Sequence, residues 1–457
     1  MNIFDNDTIC AIATATGGAI GLIRVSGPEA IDITSRVFSR DIRQSKTHTI
    51  HFGTIVDPTG SVVDEVLVSV FRSPHSYTGE ESVEISCHGS RYILGRILRL
   101  LIDSGCRQAR GGEFTQRAFA NGKLDLSQAE AVADLISSTN QSTHRMAISQ
   151  LRGSVSTSLA QLRDQLLKMT SLMELELDFS DHEELEFADR TELRRLAEEI
   201  DSQLTRLISS FASGKAVKQG IPVALVGKTN VGKSTLLNRL VGEERAIVSD
   251  IHGTTRDVIE DTVDINGVTF RFIDTAGLRH TDDAIEQIGI RLTLKKLDEA
   301  AVVVWIVDTP PAADDISDML ARTKKSRLIV AANKSDTHPS LSSQLTLQLP
   351  TVPVVSISAR YGTNVDHLLD AIYRAADIPS ISANDVIITS SRHYDSLCRA
   401  RASIRQTITG LDLGLSGDLL SEDLRQCLDS IAEVTGRGII TSTEVLTNIF
   451  SHFCIGK

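Results

Sequence analysis

The apolar positions of the chain change period along its length. Up to about residue 120 they come in short runs bounded by glycine: Thr8–Ala13, Ala19–Val25, Glu65–Phe71 and Ser82–Ser86. Runs of this length and composition between turn residues predict strands, so this part reads as α+β. From Leu124 to Phe211 the spacing becomes three and four. Val155, Leu159, Leu162, Leu166 and Met169 form one series; Leu193, Leu196, Ile200, Leu204, Leu207 and Phe211 form another. Each is the single apolar stripe of a long amphipathic helix. The acidic stretch from Asp178 to Glu186 between them predicts a solvated turn rather than a metal site. Between about 218 and 379, helical patterns alternate with the short apolar runs Pro222–Val226, Val302–Val307, Leu328–Ala332 and Val352–Ser356, and Thr269–Ile273 reads as a further strand. Buried parallel strands read this way, and the alternation predicts a doubly wound α/β domain. Beyond Pro379 the pattern is helical again, from Arg392 to Phe453.

A multidomain α+β chain follows, with segments 1–120, 121–217, 218–379 and 380–457. The simplest arrangement is one all-α domain built from the second and fourth segments, with the α/β domain inserted into it. Insertion is tolerated because the ends of such domains lie close together. The length of 457 residues agrees, being too great for one core.

Composition narrows the class further. With 41% hydrophobic and 23% charged residues the chain reads as soluble. It has no apolar run of about 18 residues and no secretory signal, which predicts a cytoplasmic location and no membrane partner. The six cysteines are scattered without a CxxC pair, as expected of reduced thiols rather than disulfides or a zinc site. A net charge of −12 argues against broad non-specific nucleic-acid binding, though not against a local basic patch.

Four segments carry chemistry. Gly227–Ser234 (GKTNVGKS) fits GxxxxGK[ST] between a predicted strand and a predicted helix. Backbone N–H groups of such a loop face phosphates, glycines allow the close approach, Lys233 reaches the β- and γ-phosphates, and Ser234 offers its hydroxyl to Mg²⁺. Asn230, Val231, Gly232 and Thr235 complete the phosphate cradle. Thr255, in Gly253–Asp257 (GTTRD), is the candidate second hydroxyl on Mg²⁺. Asp274, Thr275, Ala276 and Gly277 follow a strand, where a carboxylate can hold Mg²⁺ through water and a glycine can turn toward the γ-phosphate. Asn333, Lys334 and Asp336 (in NKSD) read the base: a carboxylate accepts from guanine N1–H and N2–H₂, a donor pair that adenine lacks. Ser358, Ala359 and Arg360 would support guanine O6. The predicted nucleotide is therefore GTP.

One position departs from the Ras pattern. The residue after DTAG is Leu278, where a water-orienting glutamine is expected. Either hydrolysis is very slow or another group serves. Glu286 could hold a water as a base, although by itself it reads as a surface glutamate. Asn230 could ligate a monovalent cation, whose charge would act where an arginine finger otherwise does.

The segments GKTNVGKST (227–235), DIHGTTRD (250–257) and DTAGLR (274–279) resemble the TrmE–Era–EngA group of GTPases. The stretches LIRVSG (22–27), PHSYTGE (74–80), EISCHG (84–89), RGGEFTQRAF (110–119) and GKLDLSQAE (122–130), with the terminal FCIGK (453–457), are similar to the MnmE (TrmE) family over essentially the whole chain. The resemblance implies a tRNA-modification GTPase. It would work as a homodimer and, with the FAD- and NADH-using partner MnmG, as a heterotetramer that adds an aminomethyl or carboxymethylaminomethyl group at C5 of the wobble uridine. It also implies an aminomethyltransferase-like N-terminal domain that binds 5-formyltetrahydrofolate and mediates dimerisation, with contacts falling on Arg24, Glu84, Lys123 and Lys457. Cys454 matches the family's tail cysteine, with either a direct or a structural role. The resemblance also implies an answer to the missing glutamine, K⁺-dependent pairing of G domains. Asn230, Ser249, Ile251 and Thr254 would hold K⁺ in a loop that also includes Asp250 and His252, and Glu286 would position the water. Ser249 stands where some relatives have threonine, and His252 where a small residue is usual. Two other functions compete. One is an Era-like switch in ribosome assembly, disfavoured by the long N-terminal region and the absence of a small basic C-terminal domain. The other is a signalling GTPase that needs an external activator.

Overall fold

The computed structural model describes residues 7–178, 190–243, 261–274, 300–323, 327–378, 385–436 and 456. The chain forms two compact units. One comprises residues 1–136, 150–204 and 395–457; the other comprises 137–149 and 205–394.

The first unit opens with a six-stranded sheet. Its strands are β1 (Ile9–Ile12), β2 (Ile20–Ser26), β3 (Thr49–Val56), β4 (Val62–Phe71), β5 (Ser82–His88) and β6 (Arg107–Gln108), ordered β3-β4-β5-β2-β1-β6. All neighbours are antiparallel except β1 and β6. The four predicted strands are present; β3 and the two-residue β6 are additional. Alternation sends Ile23, Val25, Val83 and Ile85 into a core shared with helices α1 (Ala30–Val37) and α2 (Arg91–Asp103). The intervening residues point to the other face, and the β2–β5 register sets Arg24 directly opposite Glu84.

Helix α3 (Glu113–Ala120) is fixed by ion pairs. Arg117, only 2% exposed, pairs with Asp7, Glu80 and Glu113, and Glu113 also takes Arg107. Burial drives the Glu113 carboxyl up, but Arg107, the Arg110 backbone N–H and Arg117 outweigh it and hold it below its ordinary 4.5. Helices α4 (Leu126–Ser137), α5 (Gln141–Leu151), α6 (Ser154–Asp178) and α7 (Arg190–Gln219) follow. Every member of the 155–169 series is buried, as are the members of the second series from Leu193 to Leu207. Phe211 is half-buried and stacks on Tyr394, ring centroids 4.4 Å apart, within the second unit.

In that second unit β7 (Ile221–Val226), β8 (Asp261–Ile265), β9 (Val268–Asp274), β10 (Val302–Val307), β11 (Arg327–Ala332) and β12 (Val354–Ser356) are ordered β12-β11-β10-β7-β9-β8, with only β8 antiparallel. Helices α8 (Lys233–Glu243) and α11 (Val365–Ala375) share one core with the sheet. The opposite face packs on α10 (Leu341–Gln348), with Ile316 and Met319 of α9 (Ala313–Arg322) against it. Helices on both faces of a mostly parallel sheet make the predicted doubly wound architecture. The segment 137–149 belongs to this unit: the Asn140 amide donates to Thr269 Oγ1 (2.7 Å), and Ser142 N–H to Gly267 O (3.0 Å). The chain then returns to the first unit through α12 (Ser391–Asp412) and α13 (Gly417–Thr435). Among the described residues no helix is long and apolar enough to cross a membrane. No group of three or more His, Cys, Asp or Glu residues there could hold a metal ion.

Candidate functional site

The loop from Gly227 to Gly232 leaves β7 at the carboxyl end of the sheet and enters α8 at Lys233. Ligands bind at that end of open α/β sheets. A helix N-terminus there presents free N–H groups toward an anion. The loop tolerates few side chains. A Cβ at Gly227 would lie 2.4 Å from Ile306 O, and one at Gly232 would lie 2.4 Å from Asn333 Nδ2. Asn230 and Gly232 have φ of 61° and 98°, which wraps the loop into a cradle. Lys233 is buried, and its ammonium donates to Gly227 O (2.6 Å) and Lys228 O (2.7 Å). Ser234 and Thr235 stand exposed in the first turn of α8.

Three loops are stitched together beside the cradle. The Asn333 amide nitrogen donates to Val231 O (2.7 Å), and its oxygen accepts from Ala359 N–H (2.9 Å). Ser358 Oγ donates to Asp336 Oδ1 (2.6 Å) and so orients that carboxylate. Arg239, from α8, donates to Arg360 O (3.4 Å), while the Arg360 guanidinium lies over the Tyr361 ring. Asn230, Val231, Gly232, Lys233, Asn333, Asp336, Ser358 and Ala359 thus converge at the carboxyl end of the sheet. Lys334 joins them through a partner that the motif does not announce: its ammonium donates to Asp308 Oδ2 (2.6 Å). Asp308 is the first polar residue after the all-buried strand β10, and that position was the available signal. Ser249 to Thr255, Thr275 to Gly277, Leu278, Glu286, Cys454 and Lys457 lie outside the described residues, as does the Asp274 side chain.

A second constellation sits on the outer face of the N-terminal sheet. Arg24 pairs with Glu84 at 2.8 Å and donates to Gly456 O at 3.4 Å. Its guanidinium lies 5.2 Å from the Tyr77 ring centroid and 5.7 Å from that of Phe114. Burial raises the Tyr77 phenol, opposed by its hydrogen bond with Thr115 and by Arg24. Lys123 donates to Pro74 O (3.0 Å), so the segment 74–80 touches both Arg24 and Lys123. Gly456 brings the end of the chain to the same place. Tyr77 and Phe114 were not singled out in the sequence, because an aromatic residue in a loop or at a helix start has no period to betray it.

The family model for the GTP-binding protein TrmE N-terminus matches residues 8–123, and that for the MnmE helical domain matches 126–454. The chain is 52% identical to a tRNA modification GTPase MnmE from Phocaeicola vulgatus over the whole of both proteins. It is 53% identical to that of Bacteroides thetaiotaomicron, over 99% of this chain and 100% of the relative. Among solved structures, the FeoB G-domain from Methanococcus jannaschii aligns with 35% of this chain and 98% of its own, at 28% identity and a TM-score of 0.26, too low to bear on the argument. The matched models cover nearly the whole chain, and the relatives match end to end at about half identity: the chain belongs to the MnmE family of tRNA modification GTPases.

Proposed function

We propose that this protein hydrolyses GTP to drive modification of the wobble uridine of certain tRNAs at C5, acting in the cytoplasm as a homodimer and in a heterotetramer with MnmG. The observation that carries the nucleotide part is the stitch from Val231 through Asn333 to Ala359, beside an Asp336 carboxylate aimed by Ser358. That arrangement ties a phosphate cradle to a base-reading carboxylate in one rigid unit.

Each residue then has a role. N–H groups from Asn230 to Thr235 hold the phosphates. Lys233 exchanges its two loop carbonyls for phosphate oxygens. Asp336 accepts from guanine N1–H and N2–H₂, with Ala359 and Arg360 beside O6. Ser234 and Thr255 would hold Mg²⁺, with Asp274 behind a water; bound there, the ion neutralises charge on the phosphates. The exposed hydroxyl of Ser234 at the mouth of the cradle fits that use. Asn230, Ser249, Ile251 and Thr254 would hold K⁺, which supplies positive charge beside the transferring phosphoryl group. Glu286 orients the attacking water in place of the glutamine that Leu278 replaces. Asp250, His252 and Gly253 lie in the same sequence stretch as the K⁺ ligands and would contact the nucleotide.

The N-terminal constellation would take 5-formyltetrahydrofolate. Glu84 accepts from pterin N–H groups, while Arg24, Lys123 and Lys457 suit the carboxylates of the glutamate tail. The exposed Tyr77 ring beside Arg24 gives a surface for a flat heterocycle, while Phe114 is buried beneath the same guanidinium. Residues 1–120 form the folate and dimerisation domain, 121–217 and 380–457 the helical domain with its Cys454-bearing tail, and 218–379 the G domain. Mass spectrometry of wobble nucleosides from a strain lacking this gene tests the proposal. Loss of the C5 modification, restored by the wild-type gene, is expected. An unchanged nucleoside profile moves the protein to an Era-like role in ribosome assembly.

A further inference from the structure

The nucleotide site contains two lysines whose ammonium groups are held by carboxylates from the segment after β10. Lys228 pairs with Asp315 at 2.9 Å, with 75% and 41% of the two side chains exposed. Such a surface pair contributes little. Lys334 and Asp308 differ: the contact is 2.6 Å and the carboxylate is only 22% exposed. The sheet builds this pair. β10 and β11 run parallel, with Val307 beside Ala332, so Asp308 and Asn333 are the next residues at the carboxyl ends of neighbouring strands. Asn333 N–H donates to Val307 O (2.8 Å), which locks that alignment.

The main chain of Lys334 is equally constrained. Its φ is 59°, in the left-handed region, and its carbonyl accepts from the N–H groups of Thr337 and His338, both at 2.9 Å. With the backbone held at one end and the ammonium at the other, the four-carbon stem becomes a fixed apolar bar next to Asn333 and Asp336. A free lysine would surrender side-chain entropy to take up one such position.

We propose that Asp308 is a positioning residue for guanine-nucleotide binding: it anchors the Lys334 ammonium so that the stem forms one wall of the base pocket. This deepens the proposed function and rests on its assignment of the guanine site. The anchoring role and simple charge compensation predict opposite signs. A carboxylate that only offsets positive charge repels a triphosphate, so removing it tightens binding. A carboxylate that fixes Lys334 loosens binding when removed.

The test is fluorescent GDP binding and GTP turnover by the full chain carrying Asp308→Asn, an isosteric change. The dissociation rate and KM should rise about threefold to tenfold, the range of a partly exposed ion pair, while kcat and the association rate hold. Asp308→Glu should recover part of the loss. In a Lys334→Met background, Asp308→Asn should add nothing, because the group it acts through is gone. Equal or tighter binding by Asp308→Asn, or an undiminished effect in the Lys334→Met background, overturns the assignment. If Asp308→Asn also lowers the melting temperature, the Lys334→Met comparison still decides, since a general loss of structure persists there. A wild-type chain that binds no guanine nucleotide overturns the reading of the whole site instead.

Discussion

Asp336 and Asn333 are close in sequence but do different work. Asn333 spends both heteroatoms of its amide on backbone partners in two other loops, so its task in this structure is to hold Val231 and Ala359 together. Asp336 has one oxygen oriented by Ser358 and is the group suited to meet a base. Asp336→Asn replaces an acceptor with an amide that matches the 2-oxo group of xanthine better than the 2-amino group of guanine. Competition binding should show a preference for GTP over XTP that falls by at least about tenfold, the scale of one charge-assisted hydrogen bond. Full retention of the GTP preference removes Asp336 from base reading. The motifs made these residues visible because phosphate and guanine chemistry restricts residue type at fixed spacings. They gave no sign that Asp308 would meet Lys334, since that contact depends on the alignment of two strands that lie apart in sequence.

Among the elements, α3 shows how a short helix is held by buried ion pairs as well as by its buried Phe114 and Ala118. Its Arg117 is buried among Asp7, Glu80 and Glu113, so its charge has been taken out of water and must stay compensated. Arg117→Leu would leave these carboxylates short of a partner and should lower stability by about 3 kcal/mol, as found when one partner of a buried pair is removed. Thermal unfolding reads this directly; a melting temperature unchanged within about a degree would mean the network contributes nothing. The amphipathic helices were legible because their stripes repeat at helical spacing, and the buried residues from Val155 to Met169 follow that stripe. The strand β3 was not. Its sequence TIHFGTIV (49–56) has a histidine and a glycine among its apolar residues, and Ile50 and Phe52 are exposed on the sheet surface. Pairing with β4 makes it a strand, and that pairing is a tertiary fact.

For the molecule as a whole, acid stability has a defined sign. For Asp7, burial raises the carboxyl, while hydrogen bonds and charge from Arg107 and Arg117 bring it below its ordinary 3.8; the same opposition holds Glu113 below 4.5. Groups with folded values depressed in this way add stability that is fully present above the unfolded values. That stability is lost as pH falls through the folded values. The first unit should therefore hold constant stability from neutral pH to about 5 and lose it below about 4. Arg117→Leu should move that loss to higher pH. Chemical denaturation followed across this range checks both statements, and a wild-type curve that declines between pH 7 and 5 contradicts the first.

The change from strand spacing to helical spacing, and back to strands near residue 220, was legible in the shifts of hydrophobic period. The inclusion of residues 137–149 with the sheet unit was not, because Asn140 and Ser142 reach it through hydrogen bonds that leave no periodic trace. The mechanism turns on a nucleotide site that lacks the Ras glutamine, with Leu278 in its place. The most direct measurement is GTP turnover by the purified full chain in K⁺ and in Na⁺ at equal ionic strength, for wild type and Glu286→Ala. Turnover should be faster in K⁺ without any partner protein. Glu286→Ala should lower it by roughly 10²–10⁴, the contribution of a positioned acid or base, with GTP affinity retained. Equal rates in the two salts, together with full activity of Glu286→Ala, would contradict the proposed mechanism.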